Sequence, residues 1–150
     1  MTDEYFMEIA LSLAKKAEKK GEVPIGAIVI KGDKIISKAY NKREKTQNAI
    51  RHAEITAVEK ACKKLKSWRL EGCALYCTLE PCIMCCGAII NARIEKTVFG
   101  AYEKKSGAVQ SRYCLLSDNG LNHACSFRGG VLEEQCSRLM VKFFEKVRKR

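Results

Sequence analysis

Two cysteines in this sequence have the spacing of a half-site for a metal ion. Cys82 and Cys85 are three positions apart, so they would share one face at the first turn of a helix that begins after Pro81. The unpaired N–H groups and the dipole at a helix N-terminus favour thiolates, the form of cysteine that binds metals. Redox motifs and chance share this spacing, however, so further ligands are needed to define a site.

Two ways of completing the site are open. A structural zinc bound by four cysteines would add Cys73 and Cys77, but in a strand these would lie about 13 Å apart. We therefore favour core positions for both. The alternative adds His52, one of only two histidines. Three protein ligands with one open position are typical of catalytic zinc, which lowers the pKa of a bound water molecule toward about 7.

Glu54, two residues after His52, is the candidate proton carrier. Such positions do not share a face in the middle of a helix, but at a helix end both side chains can lean past the terminus toward one volume. Glu54 would then take a proton from the water molecule and deliver it to a substrate nitrogen and the leaving group. The alternative is that its carboxylate only complements the helix N-terminus.

Apolar periodicity predicts the elements that position these residues. Helices are predicted over residues 3–20, 52–64, 82–91 and 131–147. Strands are predicted over residues 24–30, 34–40, 73–79 and 96–101, with a fifth around 124–127. The polar residues 41–51 are predicted to form a loop. The alternation of strands and helices predicts an α/β sandwich in which helices cover a central sheet.

The composition restricts the class of protein. The chain has 150 residues, of which 47% are hydrophobic, which suits a single globular domain over residues 1–150. Its apolar stretches fall short of the roughly 20 residues of a membrane span, and its acidic start lacks the pattern of a secretory signal. We therefore expect a cytoplasmic protein without a membrane partner, in which clustered cysteines bind metal rather than form disulfides.

The combined motif resembles that of a known group of enzymes. His52-Ala53-Glu54 followed by Pro81-Cys82-Ile83-Met84-Cys85 is similar to the H-x-E and P-C-x-x-C signature of zinc nucleobase deaminases. Over nearly the whole chain, the sequence also resembles the bacterial tRNA-specific adenosine deaminase family. The segments that carry this resemblance are VPIGA at 23–27, Asn41, TLEPCIMC at 78–85, VFGA at 98–101, Asn122-His123, and Phe143-Phe144 with its basic tail.

The resemblance implies a fold, a cofactor and an activity. The fold would be a cytidine deaminase-like, three-layer α/β/α sandwich with a central mixed sheet of five strands. Each subunit would hold one Zn²⁺ through His52, Cys82 and Cys85, with Glu54 as the catalytic residue. The enzyme would be a homodimer that binds the tRNA anticodon stem-loop and converts the adenosine at wobble position 34 to inosine.

By position, the resemblance also implies residues that bind the substrate. Asn41 would bind the flipped nucleoside, and His123 would help to hold the anticodon loop. Glu103 lies where the family usually has an aspartate near the RNA. The pocket walls would be Pro24, Ile25, Gly26 and Ala53.

The sequence departs from the family pattern at two further places. Residues 47–51 lack the proline that often precedes the histidine, so this loop is expected to sit differently. Cys86 replaces a small residue, and its direction on a helix differs from that of Cys85 by about 100°. We therefore expect Cys86 to pack in the core rather than to bind the metal.

The charge distribution independently favours a polymeric substrate. The formal net charge is +11, and such an excess of basic residues favours a polyanionic partner. A basic surface that is merely solvated explains the charge about as well. Six basic residues and one acid, Glu145, lie between Arg138 and Arg150, and this segment includes Arg148. RNA phosphates would use that field, with Lys104 and Lys105 adding to it.

Phe143 and Phe144 lie within this basic segment. They would stack an unpaired base or, as an alternative of similar weight, fill the core. Two rival functions share the same motifs. One is deamination of a free base such as guanine or cytosine; the other is a noncatalytic, zinc-containing RNA-binding subunit, against which the presence of Glu54 argues.

Overall fold

The computed structural model describes residues 1–117, 120–121 and 123–149. Asn122, in one of the matched segments, and Arg150, in the basic tail, lie outside the described residues. The helices are α1 (Asp3–Lys19), α2 (Arg43–Thr46), α3 (Ala53–Leu65), α4 (Ile83–Asn91) and α5 (Glu133–Arg148). The strands are β1 (Gly26–Lys31), β2 (Lys34–Tyr40), β3 (Cys73–Leu79), β4 (Lys96–Ala101) and β5 (Ser126–Arg128).

The strands form one mixed sheet in the order β2-β1-β3-β4-β5. Strand β1 is antiparallel to both neighbours, whereas β3, β4 and β5 run parallel. A parallel pair needs a crossover connection, and α4 supplies it between β3 and β4. This confirms the predicted mixed five-stranded sheet.

Both faces of the sheet are covered, which confirms the three-layer sandwich. Along β1, Val29 packs in the core shared with α3 and α4, and Ile28 in the core shared with α1 and α5. This period of two follows from the alternation of side chains along a strand. Cys73 and Cys77 lie in the first of these cores, which confirms the prediction that they face the interior.

Helix α1 lies directly against the start of the sheet at Gly26. A Cβ atom at this position would overlap the backbone of Ala10 and Ala14 on α1. Glycine is therefore required by the close approach of helix and strand. Gly26 contributes to packing here, and its missing side chain faces α1.

Most element boundaries differ from the predictions by one or two residues, and one helix was not predicted. Strand β1 begins at Gly26 rather than residue 24, because Pro24 has no N–H to donate to a ladder and Ile25 N turns back to Val23 O at 2.9 Å. Helix α5 begins at Glu133 rather than 131, after Leu132 in the left-handed region. The segment 41–51, predicted to be a loop, contains the short helix α2, whose N–H groups are capped by the distant Glu22.

No helix among the described residues is both long and apolar enough to cross a membrane.

Candidate active site

The N-termini of α3 and α4 bring the three predicted metal ligands together. His52 is the N-cap residue of α3 and Cys82 is the N-cap residue of α4. Neither side chain caps its own helix, so both are free to point past the helix ends. Cys85 follows in the first turn of α4, where the i, i+3 spacing places it beside Cys82.

The geometry of this group fits a zinc ion. His52 Nδ1 lies 3.8 Å from Cys82 Sγ and 3.6 Å from Cys85 Sγ, and the three ligand atoms all lie within 4.8 Å of one another. Tetrahedral zinc with ordinary Zn–N and Zn–S bonds separates nitrogen from sulfur by about 3.6 Å. The side chains therefore already have the spacing that the ion requires.

The protonation of the two cysteines also suits metal binding. A hydrogen bond from the Cys85 thiol, with help from His52, lowers the pKa of Cys82 to about 4 despite partial burial. The same hydrogen bond to Cys82, together with burial, raises the pKa of Cys85. The contact with Cys82 raises the pKa of His52. One thiolate is thus present at neutral pH, and it is the ligand form of cysteine.

Glu54 lies in the first turn of α3 and is 4% exposed. Its Oε1 atom is buried and has no hydrogen-bond partner among the described residues. Burial raises the pKa of this carboxyl, and its own backbone N–H and His52 offset the effect only in part. A buried polar atom without a partner is costly, so this oxygen is available to a bound group.

A cavity of about 200 Å³ opens beside His52. It is smaller than a typical drug-sized pocket of about 300 Å³ or more, so it suits one flat ring system. Its lining comes from the loop before β1, the loop after β2, the ends of β3 and β4, and α5. The lining residues are Val23, Ile25, Asn41, Arg43, His52, Leu79, Glu103, Met140 and Phe144.

Four of the predicted substrate-binding residues line this cavity: Ile25, Asn41, Glu103 and Phe144. Phe144 is 43% exposed, so its ring borders the opening. Arg148 lines an adjoining cavity of about 230 Å³ that shares Glu103 and Phe144. Val23 and Leu79 also line the cavity and lie in segments that carry the resemblance, whereas Arg43 and Met140 were missed by sequence reasoning because neither belongs to a recognised motif.

The remaining predicted residues, including Gly26, which faces α1, do not line the cavity. Ala53 is wholly buried beneath the site, and Pro24 is buried. Phe143 packs edge-on against Phe144, with ring centroids 5.4 Å apart. Lys104 and Lys105 are exposed on the loop after β4. Roles in substrate binding for these residues remain predictions.

His123 lies at the far end of β4 from the cavity. Its Nε2 atom is 2.8 Å from the carbonyl oxygen of Ile94, just before the strand begins, whereas Glu103 follows the strand's last residue. Strand β4 has six residues, and its two ends are about 16 Å apart. Any contact of His123 with RNA would therefore be remote from the reacting base.

Asn41 is held in place by the backbone of both neighbouring loops. Its Nδ2 donates to Val23 O at 3.5 Å, and its Oδ1 accepts from Arg43 N at 3.3 Å. The side chain thus links the loop before β1 to the start of α2. This fixes two walls of the cavity relative to each other.

Two buried glutamates next to the site were missed. Glu22 accepts hydrogen bonds from Glu44 N at 3.0 Å and Lys45 N at 2.7 Å. Glu80 accepts hydrogen bonds from the loop after β4, and these donors lower its pKa although burial opposes them. The one signal in the sequence is a charged residue between apolar neighbours, as in Leu79-Glu80-Pro81.

Cys86 confirms the prediction made from its helical register. It is fully buried, and its Sγ faces Pro81 O at 3.8 Å rather than the metal group. Cys85, one position earlier, is the residue that meets His52.

Comparisons with known proteins agree with this site. Residues 1–101 match the family model described as the cytidine and deoxycytidylate deaminase zinc-binding region. Curated tRNA-specific adenosine deaminases of Bacillus subtilis (strain 168) and Aquifex aeolicus (strain VF5) are each 48% identical over 148 residues, which is 99% of this chain and 92% and 97% of theirs.

Solved structures of deaminases also align with this chain. A chain from a study of A-to-I editing by tRNA:A34 deaminases at the wobble position aligns with a TM-score of 0.87 and 38% identity, over 90% of this chain and 98% of that chain. A guanine deaminase of Bacillus subtilis aligns with a TM-score of 0.65 and 38% identity, over 68% and 66% of the two chains.

The fold and the site therefore define a zinc-dependent hydrolytic deaminase, with the His/Cys/Cys group positioned to bind the ion. Within that class, the chain belongs to the tRNA-specific adenosine deaminase family.

Proposed function

We propose that this protein deaminates adenosine to inosine at wobble position 34 of tRNA. It would act as a single deaminase domain, residues 1–150, in a cytoplasmic homodimer. The proposal depends on one observation: the metal-binding group and the basic helix α5 line the same cavity. His52 of the metal group and Phe144 of the basic helix α5 line the same cavity, so a base at the metal group would also contact the surface suited to RNA.

His52, Cys82 and Cys85 are the residues that would hold zinc, through one nitrogen and two sulfurs. When bound, the ion supplies Lewis-acid activation of a water molecule. The remaining chemistry falls to Glu54, whose Oε1 is buried and has no protein partner in the described structure.

Glu54 would act as the proton carrier. Its carboxylate takes a proton from the attacking water and delivers it to the ring nitrogen next to C6. The water oxygen forms a bond to C6. Glu54 then takes the proton of the new C6 hydroxyl and passes it to the amino group, so that the C6–N bond breaks as the C6=O bond forms. The products are inosine and ammonia, so the reaction consumes one water molecule.

The cavity would bind one unstacked base. Its volume of about 200 Å³ suits a single base, and the side chains of Ile25, Leu79 and Phe144 offer it apolar surfaces. Extrusion of a base from a loop costs less than extrusion from a duplex, where it amounts to a few kcal/mol. Phe144 at the opening is placed to stack on the base or on its neighbour.

Helix α5 would hold the RNA backbone. Lys142, Lys146, Arg148 and Lys149 are exposed along this helix and its C-cap. Arg43 adds a cation at the opposite wall of the cavity. Charges on both sides of one opening would contact the phosphates that flank a flipped nucleotide, whereas a free base carries no phosphates.

The decisive experiment compares substrates with the purified, zinc-loaded protein alone. We expect conversion of adenosine 34 in a transcribed tRNA, detected as an A-to-G change on sequencing and as equal release of ammonia. A tRNA with guanosine at position 34 and the Glu54→Ala protein are the negative controls.

Other outcomes would identify the rival functions. Conversion of free guanine or cytosine without any change in tRNA would replace our proposal with free-base deamination, which the aligned guanine deaminase structure favours. Binding of tRNA without any deamination would indicate a noncatalytic subunit. Sedimentation velocity would test the homodimer separately.

A further inference from the structure

Glu80 is a buried carboxylate that organises the loop after β4. It lies between β3 and α4 and is 2% exposed. Its Oε1 accepts hydrogen bonds from Glu103 N at 3.1 Å and from the Ser111 hydroxyl. Its Oε2 accepts from three consecutive N–H groups, those of Val109, Gln110 and Ser111, at 3.1, 2.8 and 2.9 Å.

The loop depends on this carboxylate because it has little regular structure of its own. Residues 102–114, all of which are described, contain no helix or strand. Backbone N–H groups outside regular structure still need acceptors, and the Glu80 carboxylate accepts hydrogen bonds from four of them in this loop. A further tie is the hydrogen bond from Ala108 N to Pro81 O at 2.8 Å, so residues 80–81 hold the loop from below.

The packing around Glu80 is close on the loop side as well. A Cβ atom at Gly107 would overlap the Glu80 carboxylate and the carbonyl oxygen of Glu103. The loop thus wraps around the carboxylate, and only a residue without a side chain fits at that point. Ala108 and Val109 complete the wrap by packing in the core.

Glu80 connects the metal group to one wall of the cavity. It is two residues before Cys82, and it holds the backbone of Glu103, whose side chain lines the cavity. Both of its oxygens are occupied by donors, so it has no free atom for proton transfer. Glu80 is therefore not a candidate for proton transfer, and its role is to hold the backbone of the loop after β4 in position.

We propose that Glu80 is a positioning residue that fixes the Glu103 wall relative to the metal ligands, so that the loop is already in place when the substrate arrives. This inference rests on the proposed function for its kinetic test but not for its structural test. Contacts between the substrate and a wall that is already in place chiefly increase binding affinity. Loss of the hydrogen bonds from the loop to Glu80, called the Glu80 clamp below, would therefore raise KM more than it lowers kcat.

The variant Glu80→Gln gives a specific structural expectation. Glutamine keeps one acceptor oxygen, which can still serve the N–H groups of residues 109–111, but its NH₂ group cannot accept from Glu103 N. In the zinc-loaded protein, amide hydrogen exchange should therefore rise at Glu103 and change little at residues 109–111. Glu80→Ala should release all four amides, and Glu80→Gln remains informative if that protein does not fold.

The kinetic expectation for Glu80→Gln is a rise in KM for tRNA of about tenfold, with kcat changed by less than about twofold and zinc still bound. Asp3→Asn is the matched control, since it also removes a hydrogen-bonded carboxylate but lies at the start of α1, where it contacts Tyr76 and Arg128. That control should change stability while leaving KM and exchange at Glu103 as they are.

Two results would overturn the proposal. One is unchanged exchange at Glu103 in Glu80→Gln, because then the carboxylate does not hold the loop. The other is increased exchange with kinetic constants that match the wild type, because then the clamp does not serve the cavity. If the wild-type protein converts only a free base, the proposed function fails; the exchange result still stands, and the KM comparison is made with that base.

Discussion

Glu54 and Glu80 are buried to a similar degree, at 4% and 2% exposure, and each lies beside the start of a helix that carries metal ligands. Their surroundings differ. Glu80 accepts five hydrogen bonds, whereas Oε1 of Glu54 accepts none within the part of the chain that the structure describes. A carboxylate whose two oxygens are both occupied can organise a loop but cannot move a proton, while a buried oxygen without a partner is costly and is free to react.

The largest expected effect comes from Glu54→Gln. Removal of the proton carrier should reduce inosine formation by about 10³-fold or more, while zinc content, measured by elemental analysis, stays at the wild-type level. Because a neutral amide is easier to bury than a carboxylate, the melting temperature should be unchanged or higher. Near-normal turnover would show that Glu54 is not the proton carrier and would remove the contrast with Glu80.

Adjacent cysteines provide the next test. Cys85→Ala should lose zinc and activity together, since two ligands cannot hold the ion as three do. Cys86→Ala, one position along α4, should retain both and lose only about 1–3 kcal/mol of stability from the core. Equal zinc loss in the two variants would mean that the register of α4 differs from the one described.

Glu22→Gln tests whether the second saturated carboxylate resembles Glu80. It should lower the free energy of unfolding by about 1–3 kcal/mol, because a glutamine amide would face a backbone N–H of α2. Chemical denaturation would measure this loss, with Glu8→Gln as the exposed control. Since α2 carries Arg43 at the cavity, KM should rise too; a loss of kcat alone would contradict a purely positional role.

Loss of basic residues from α5 should have a smaller effect, confined to binding. Replacement of Lys146, Arg148 and Lys149 by alanine should weaken tRNA binding and reduce the slope of log affinity against log salt by about 2. The matched control removes the same charge from exposed positions on other elements, at Lys34 in β2 and at Lys63 and Lys64 in the last turn of α3. An equal change in slope for both variants would show that the protein's net charge, rather than α5, attracts the RNA.

The smallest effect concerns Asp3, a carboxylate with donors on three strands. Burial opposes ionisation, but Tyr76, Arg128 and Lys96 together lower its pKa below the usual 3.8. Such a group contributes stability above its unfolded-state pKa and loses that contribution as pH falls through the folded-state value. Asp3→Asn should therefore cost about 1 kcal/mol at pH 7, discounted for partial exposure, and progressively less below pH 3.8. A difference that persists unchanged in acid would exclude the charge as its source.

Most of the fold was predictable because its signals are local. The apolar run of β1 and the periodic pattern of α3 depend on neighbours within a few residues, and both elements were located to within two residues. Helix α2 was missed because its cap, Glu22, precedes it by more than 20 residues. No short-range pattern reports a contact of that kind.

The same distinction applies to the site. Cys82 and Cys85 are recognisable as a pair because one helical turn brings them together, and His52 joins them through a motif. The hydrogen bonds of Glu80 reach 23 to 31 residues along the chain. His123 contacts Ile94 at the far end of β4, and its predicted role in holding the anticodon loop stays a prediction. The order of the helices and strands along the chain does not give the distances between them in the folded protein.

The sequence by itself determined where most helices and strands form and which residues are candidates for the chemistry, because spacing along the chain fixes direction on a helix or a strand. Only the tertiary structure decided which buried carboxylate keeps an oxygen without a hydrogen-bond partner among the described residues. That outcome depends on which backbone N–H groups the folded chain brings within hydrogen-bonding distance, and these come from segments remote in sequence: α2 for Glu22 and the loop after β4 for Glu80. Glu22 and Glu80 receive such donors, and Glu54 Oε1 receives none among the described residues.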